Sequence, residues 1–435
     1  MTTSSTLTAS LPLPLSRTVL DAAPQPFSEL VNLVFDRPEL ISLAAGLVDY
    51  DTLPADRVAP LVQDILGDEA TAKAALQYGP TIGFAGFRTQ LYDHLAALDH
   101  TTPEAYPGSA DDVVVTTGSQ ELLNLIADTL LDRDDIVIAG WPSYFVYMTA
   151  LTTFGTTIRG VDLDEHGMCP DKLDRLLAGL SAAGQLHRVK FVYVVSYHQN
   201  PTGITLSTER REQLLDVVRS WSQRSGQRIL IIEDAAYREL TYQGDAPPSI
   251  KSYDTDNQYV ALCQTFSKPF SPGLKTGYGL LPEGMLEPIT LCKDGRDFGS
   301  SNFNTYVLSR AMSSGVYADH VDVLCRAYAE KIQATLDALD EHFAGIEGVS
   351  WTHPTGGLYV WLTLPETIRT SRDSTLFEQA LSEGVLYVPG DYCFPRDLTR
   401  QPPANLIRLA VGVPSIDAIR EGVARLAKAV KQVLD

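Results

Sequence analysis

The 435-residue chain carries 34 Lys and Arg against 54 Asp and Glu, a formal net charge of −20, and 44% of its residues are hydrophobic. That acidity argues against a nucleic-acid partner, which would need clustered Lys and Arg, and no apolar run approaches the roughly 18 residues needed to cross a bilayer. Five scattered cysteines without a CxxC spacing suit reduced thiols in a cytoplasmic compartment instead of disulfides or a metal centre, and the length suits two domains.

Along the chain, the opening MTTSSTLTASLPLPL is rich in Ser, Thr and Pro and lacks the basic start and apolar core of a secretory signal, which predicts a flexible tail. ISLAAGLVDYDTLP, from Ile41 to Pro54, is an apolar run broken by Gly46 and closed by Pro54, a loop leading into a site. From about Asp112, short apolar runs alternate with amphipathic ones: VVVTTG then QELLNLIADTLL, DIVIAG, TIRGVDL, KFVYVVS then REQLLDVVRSWSQ, RILIIED, YVALCQTF and KTGYGLL. The alternation predicts an α/β domain with a mostly parallel sheet covered on both faces. A helical stretch from about Val316 to Phe343 then leads to an α+β region containing VSWTHP, GLYVWLTL, GVLYVPG and NLIRLAVG, a candidate small domain.

Sheets of this kind bind ligands beyond the carboxyl ends of their strands, so the residues that follow each strand are the informative ones. Gly118-Ser119-Gln120 opens a helix directly after a strand and offers free backbone N–H groups to an anion, though such a turn also serves as a plain cap. Tyr144, in Trp141-Pro142-Ser143-Tyr144, brings a ring to a strand end, where it either stacks on a flat ligand or fills the core. His198-Gln199-Asn200-Pro201-Thr202-Gly203 is a rigid turn presenting the Asn200 amide. Asp234, with Tyr237 three residues on, puts a carboxylate at the mouth of an apolar sheet; a protonated ring nitrogen or a structural Arg or Lys would each satisfy it. Thr265, Ser267, Lys268 and Lys275 follow the next strand and combine hydroxyls, an amine nucleophile and rigid turn residues.

In the order YGPTIG, TTGSQ, WPSY, QNPTG, EDAAY, TFSK with PGLK, PTGGLYVWL and NLIRLAVG, the sequence resembles the class I/II aminotransferases of the fold-type I pyridoxal phosphate superfamily, over roughly residues 35 to 430. The 41–54 segment and LQYGPTIGFAGFR resemble the branch holding 2-aminoadipate, kynurenine and multi-substrate aminotransferases. The resemblance implies a large domain with a mostly parallel seven-stranded sheet and a smaller α+β domain. It divides the chain into a tail and arm (1–35), the first part of the small domain (36–75), the pyridoxal phosphate domain (76–315) and the rest of the small domain (316–435).

By the same resemblance, Lys268 holds pyridoxal 5'-phosphate as a Schiff base and moves the substrate proton, and Asp234 keeps the pyridine nitrogen protonated. Asn200 and Tyr237 bond the ring oxygen, and Tyr144 stacks on the ring. The phosphate lies against Gly118, Ser119, Gln120, Thr265, Ser267 and Lys275, with Tyr78 reaching in from a second subunit of a homodimer. Arg408 grips the substrate carboxylate in a pocket that Gly46 lines.

Three positions depart from the family pattern. Lys275 stands where Arg is usual, Trp141 where an acid often stands, and Val48 follows Gly46-Leu47 where Pro is common. The implied activity is transfer of an amino group from an L-amino acid to a 2-oxo acid such as 2-oxoglutarate, by a ping-pong cycle. A lyase, synthase or oxidase of the same superfamily would use the same core residues. A regulator built on such a domain would need an N-terminal helix-turn-helix module, for which about 35 residues leave little room.

Overall fold

A computed structural model describes residues 13–21 and 26–434. Its strands, in chain order, are β1 (Ile41–Ser42), β2 (Val113–Thr116), β3 (Ile136–Trp141), β4 (Thr157–Asp164), β5 (Gly167–Met168), β6 (Val189–Val195), β7 (Leu230–Asp234), β8 (Val260–Thr265) and β9 (Gly277–Leu280), then β10 (Ser350–Trp351), β11 (Tyr359–Thr363), β12 (Val385–Leu386), β13 (Val388–Pro389) and β14 (Leu406–Ala410). The larger sheet has the order β2-β9-β8-β7-β6-β3-β4-β5. All seven strands read from the sequence are present, and the short hairpin strand β5 extends the sheet to eight.

The pairs β3/β4, β3/β6, β6/β7 and β7/β8 are parallel, while β9 runs antiparallel to both neighbours. Strand residues alternate between two helical layers, as a sheet covered on both faces requires. Val137 and Ala139 pack with Leu122 and Ile126 of the helix Ser119–Leu130. Ile136 and Ile138 pack with Leu173 and Leu214 of the helices Pro170–Ala182 and Thr208–Ser225 on the opposite side. The strand order reverses at β3, with β4 on one side and β6 on the other, which opens a crevice beyond the carboxyl ends.

The second sheet, β10-β11-β14-β13, is antiparallel. It shares a core with the helices Thr375–Ser382 and Ile416–Leu434, and the helix Val316–Phe343, read from the sequence with these bounds, joins the two sheets.

The N-terminal part divides between the two sheets. In the stretch read as tail and arm, residues 1–12 and 22–25 lie outside the described residues, but Pro26–Asp36 is a helix. It docks on the small-sheet core through Leu30, Leu33 and Val34, an i, i+3, i+4 apolar stripe. Within 36–75 the elements pack on different neighbours. Strand β1 pairs with β12, but the helices Ala55–Gly67 and Glu69–Leu76 pack on the helix Asn302–Ser313, because Ile65 and Ala75 bury themselves against Val307.

Candidate active site

A cleft of about 240 Å³ opens at the strand-order reversal. It gathers eleven of the residues singled out in the sequence: Gly118, Ser119, Gln120, Tyr144, Asn200, Asp234, Tyr237, Thr265, Ser267, Lys268 and Lys275. They arrive on five connections, at and after the ends of β2, β3, β6, β7 and β8, and the peptides Trp141–Pro142 and Asn200–Pro201 flanking the cleft are cis.

At one end lies an anion cradle. Gly118 takes φ +78°, a conformation suited to glycine, and turns the chain into the helix Ser119–Leu130, whose first N–H groups have no partner within the helix. Gly277 of β9 allows this turn to lie against the sheet, since a methyl there would come within 2.9 Å of Gly118 Cα and collide with the Ser119 backbone. Glu121 Oε2 accepts from Thr117 N–H at 2.5 Å and steadies the turn. Opposite, the Thr265 and Ser267 hydroxyls lie 3.1 Å apart, and Lys275, exposed and at φ +48°, completes the rim. Gln120 Oε1 is buried without a partner.

At the other end Asp234 is 4% exposed. Its Oδ2 accepts from Tyr193 Oη at 2.6 Å and its Oδ1 from Ala236 N–H at 3.2 Å. Burial raises its carboxyl above the ordinary value despite these two donors, and no cation among the described residues contributes to lowering it. A buried carboxylate with neutral donors only is a receptor for a cation. Tyr144, which precedes the helix Phe145–Thr152, borders the same space; burial, and then the charge of Asp234, keeps its hydroxyl protonated.

Lys268 Nζ donates to Gly46 O at 2.8 Å and lies 6.0 Å from the Tyr237 ring centroid. The Tyr237 and Tyr359 hydroxyls are 2.9 Å apart, both buried. Arg408, on β14 and 1% exposed, donates through Nη1 to Asn200 Oδ1 at 2.9 Å and through Nη2 to Ala44 O at 2.7 Å. Its guanidinium carbon lies 4.7 Å from the Tyr359 ring centroid and 5.3 Å from that of Phe145. Its Nε has no partner, leaving one donor of a carboxylate fork unused. Gly46 and Arg408 thus join the cleft through Lys268 and Asn200.

Tyr78 does not line this cleft. It is 83% exposed, edge-on to Phe298 at 6.2 Å, beside a separate depression formed by 75–79 and 298–303. Arg296, its side chain 44% exposed, pairs with Asp128.

Sequence reading missed three contributors. Tyr193 is a hydroxylated ring inside an otherwise aliphatic strand, Tyr359 sits within the GLYVWL run, and Asp49 forms a buried ion pair with Lys331 at 3.0 Å. Beside that pair, Asp49 N–H donates to Tyr328 Oη at 3.1 Å and Lys331 Nζ donates to Gly412 O at 3.1 Å. These contacts pin the loop carrying Gly46, so Val48 in place of Pro does not leave it loose.

The family profile described as "Aminotransferase class I and II" matches residues 38–426. An aromatic-amino-acid aminotransferase of Thermococcus litoralis is 32% identical over 407 residues, 93% of this chain and 91% of its own. A 2-aminoadipate transaminase of Thermus thermophilus is 30% identical across 93% of this chain and 94% of that protein. The crystal structure of a multiple substrate aminotransferase from Thermococcus profundus superposes with a TM-score of 0.86 at 32% identity, covering 97% of this chain and 98% of that one.

Proposed function

Because the chain belongs to the class I and II aminotransferase family, we propose that the cleft around Lys268 passes an amino group from an L-amino acid to a 2-oxo acid by a ping-pong cycle. The enzyme is a pyridoxal 5'-phosphate-dependent transaminase acting on amino and 2-oxo acids. What carries the assignment of roles is one juxtaposition: an amine, Lys268, in a cavity with the cation-free carboxylate Asp234, joined through Asn200 to the guanidinium of Arg408.

The donor set fits the coenzyme: N–H groups and hydroxyls for a phosphate, a lone buried carboxylate for a ring nitrogen, and an amine for an aldehyde. When bound, pyridoxal 5'-phosphate supplies an aldehyde for the amino group and a ring that draws electron density from the substrate Cα. Asp234 holds the proton on the ring nitrogen. Asn200 and Tyr237 would hold the ring oxygen, and Tyr144 would border the ring. Gly118, Ser119, Gln120, Thr265, Ser267 and Lys275 hold the phosphate. Lys268 Nζ takes the proton from Cα and returns it on the other side of the exchange, while Arg408 fixes the substrate carboxylate so that this proton faces the amine.

The donor is an amino acid of the aromatic or 2-aminoadipate class, the substrates named for the relatives, with 2-oxoglutarate as acceptor. Tyr78, exposed and away from its own cleft, suits a role in a partner subunit's site, so the working form is a homodimer. The five free cysteines suit the cytoplasm. The site draws on two domains, the smaller built on 26–54 and 316–434 and contributing Gly46 and Arg408.

The test is a panel of amino donors against several 2-oxo acids, following the new 2-oxo acid formed from each donor. Activity that requires an acceptor and disappears in Lys268→Ala supports the reading. Ammonia release without an acceptor would instead identify an elimination enzyme.

A further inference from the structure

We propose that Tyr193 is a positioning residue for Asp234: its hydroxyl fixes the carboxylate, as an anion, in the orientation that receives a protonated ring nitrogen. The proposal rests on reading Asp234 as the ring-nitrogen partner and adds a residue on the neighbouring strand.

Strand register makes the contact. β6 and β7 pair Val195 with Asp234 and Tyr193 with Ile232, so Tyr193 and Asp234 share a face on the diagonal, a separation that a tyrosine spans. The Oη to Oδ2 distance of 2.6 Å lies within the range of hydrogen bonds to a charged acceptor. The ring cannot swing away. Tyr193 is fully buried, its centroid 4.8 Å from that of Tyr147 at 58°, and Tyr147 Oη donates to Leu123 O at 3.1 Å in the helix that forms the anion cradle.

The chemistry favours a phenol at this place. Burial drives Asp234 toward the neutral acid, and a protonated carboxyl cannot hold a proton on a ring nitrogen. A Lys or Arg neighbour would keep it charged but would cancel the charge that a pyridinium needs. Tyr193 donates a hydrogen bond without carrying charge, and with Ala236 N–H it stabilises the anion while leaving its net charge available. A residue that merely filled the core would be replaced by Phe without consequence for the coenzyme ring.

The experiment measures dissociation constants of pyridoxal 5'-phosphate and of an analogue with C–H in place of the ring nitrogen, in the wild type, Tyr193→Phe and Asp234→Asn. The wild type prefers the coenzyme, and Asp234→Asn abolishes the preference. Tyr193→Phe lowers it roughly tenfold or more, as loss of a hydrogen bond to a charged group does, while analogue affinity stays within about twofold. Affinities that fall in parallel, or a preference that Tyr193→Phe leaves unchanged while Asp234→Asn removes it, would reduce Tyr193 to a packing residue and overturn the proposal. A preference that survives Asp234→Asn refutes the underlying reading of Asp234, and the proposal falls with it.

Discussion

Replacing Lys331 with Met should destabilise the protein by about 3 kcal/mol, the lower end of the range for breaking a buried ion pair from one side. The Lys331 and Asp49 side chains are 8% and 9% exposed, with Nζ and Oδ2 3.0 Å apart, so water cannot take over the carboxylate. Methionine refills the volume of the stem but leaves Asp49 unpaired and removes the donor to Gly412 O. Guanidinium denaturation, followed by tryptophan fluorescence and circular dichroism, reads the change at constant slope. Adding Asp49→Asn to Lys331→Met should recover most of the loss, since neither charge then remains. KM for the amino donor should rise in the single variant, because Gly46, whose carbonyl meets Lys268 Nζ at 2.8 Å, lies three residues from Asp49. A cost below about 1 kcal/mol, the value of an exposed pair, or no recovery in the double variant, would refute the reasoning.

Lys275→Arg should tighten coenzyme retention by up to about tenfold, since a guanidinium fork meets a phosphate with two bonds where an ammonium is a point charge; equilibrium dialysis showing unchanged or weaker binding would place Lys275 away from the phosphate. Tyr359→Phe removes the 2.9 Å contact with Tyr237 and leaves the ring beside Arg408, so kcat should fall by a factor equivalent to about 1 kcal/mol with KM nearly unchanged; a change confined to KM counts against it. Burial, with the charge of Arg211 next, holds the His198 imidazole at about 3 instead of 6.5. As pH falls below 6.5 the unfolded chain takes up that proton first, so this contribution to stability, complete above 6.5, declines by about 1.4 kcal/mol per pH unit toward 3. His198→Asn, which tolerates the φ of +42°, should flatten the decline in denaturation measured from pH 7 to pH 5, and an unchanged slope would show that His198 is not its source.

The cleft residues were legible because they lie at or soon after strand ends, several of them at a Gly or Pro that marks the turn, as at Gly118, Asn200-Pro201 and Lys268-Pro269. Local sequence carries such information. Tyr193 was illegible because its function depends on the register between β6 and β7, a pairing across 41 residues. Asp49 and Lys331 are separated by more than the length of the large domain, and neither stands out in a chain so rich in charge. The neighbours of the elements within 36–75 were illegible for a related reason. Amphipathic helices such as Ala55–Gly67 show that they bury a face, but not against which neighbour.

The anion cradle, the carboxylate and the amine each hang from a different strand end of one sheet, whose backbone ladder none of them completes with its side chain. Chemistry and architecture are therefore separable here: substitution at any single rim position retunes one interaction and leaves the frame intact. An engineer seeking a new amino donor would vary the exposed positions Leu47 and Tyr50 and leave the strands and the Asp49–Lys331 pair alone, and natural selection has the same freedom.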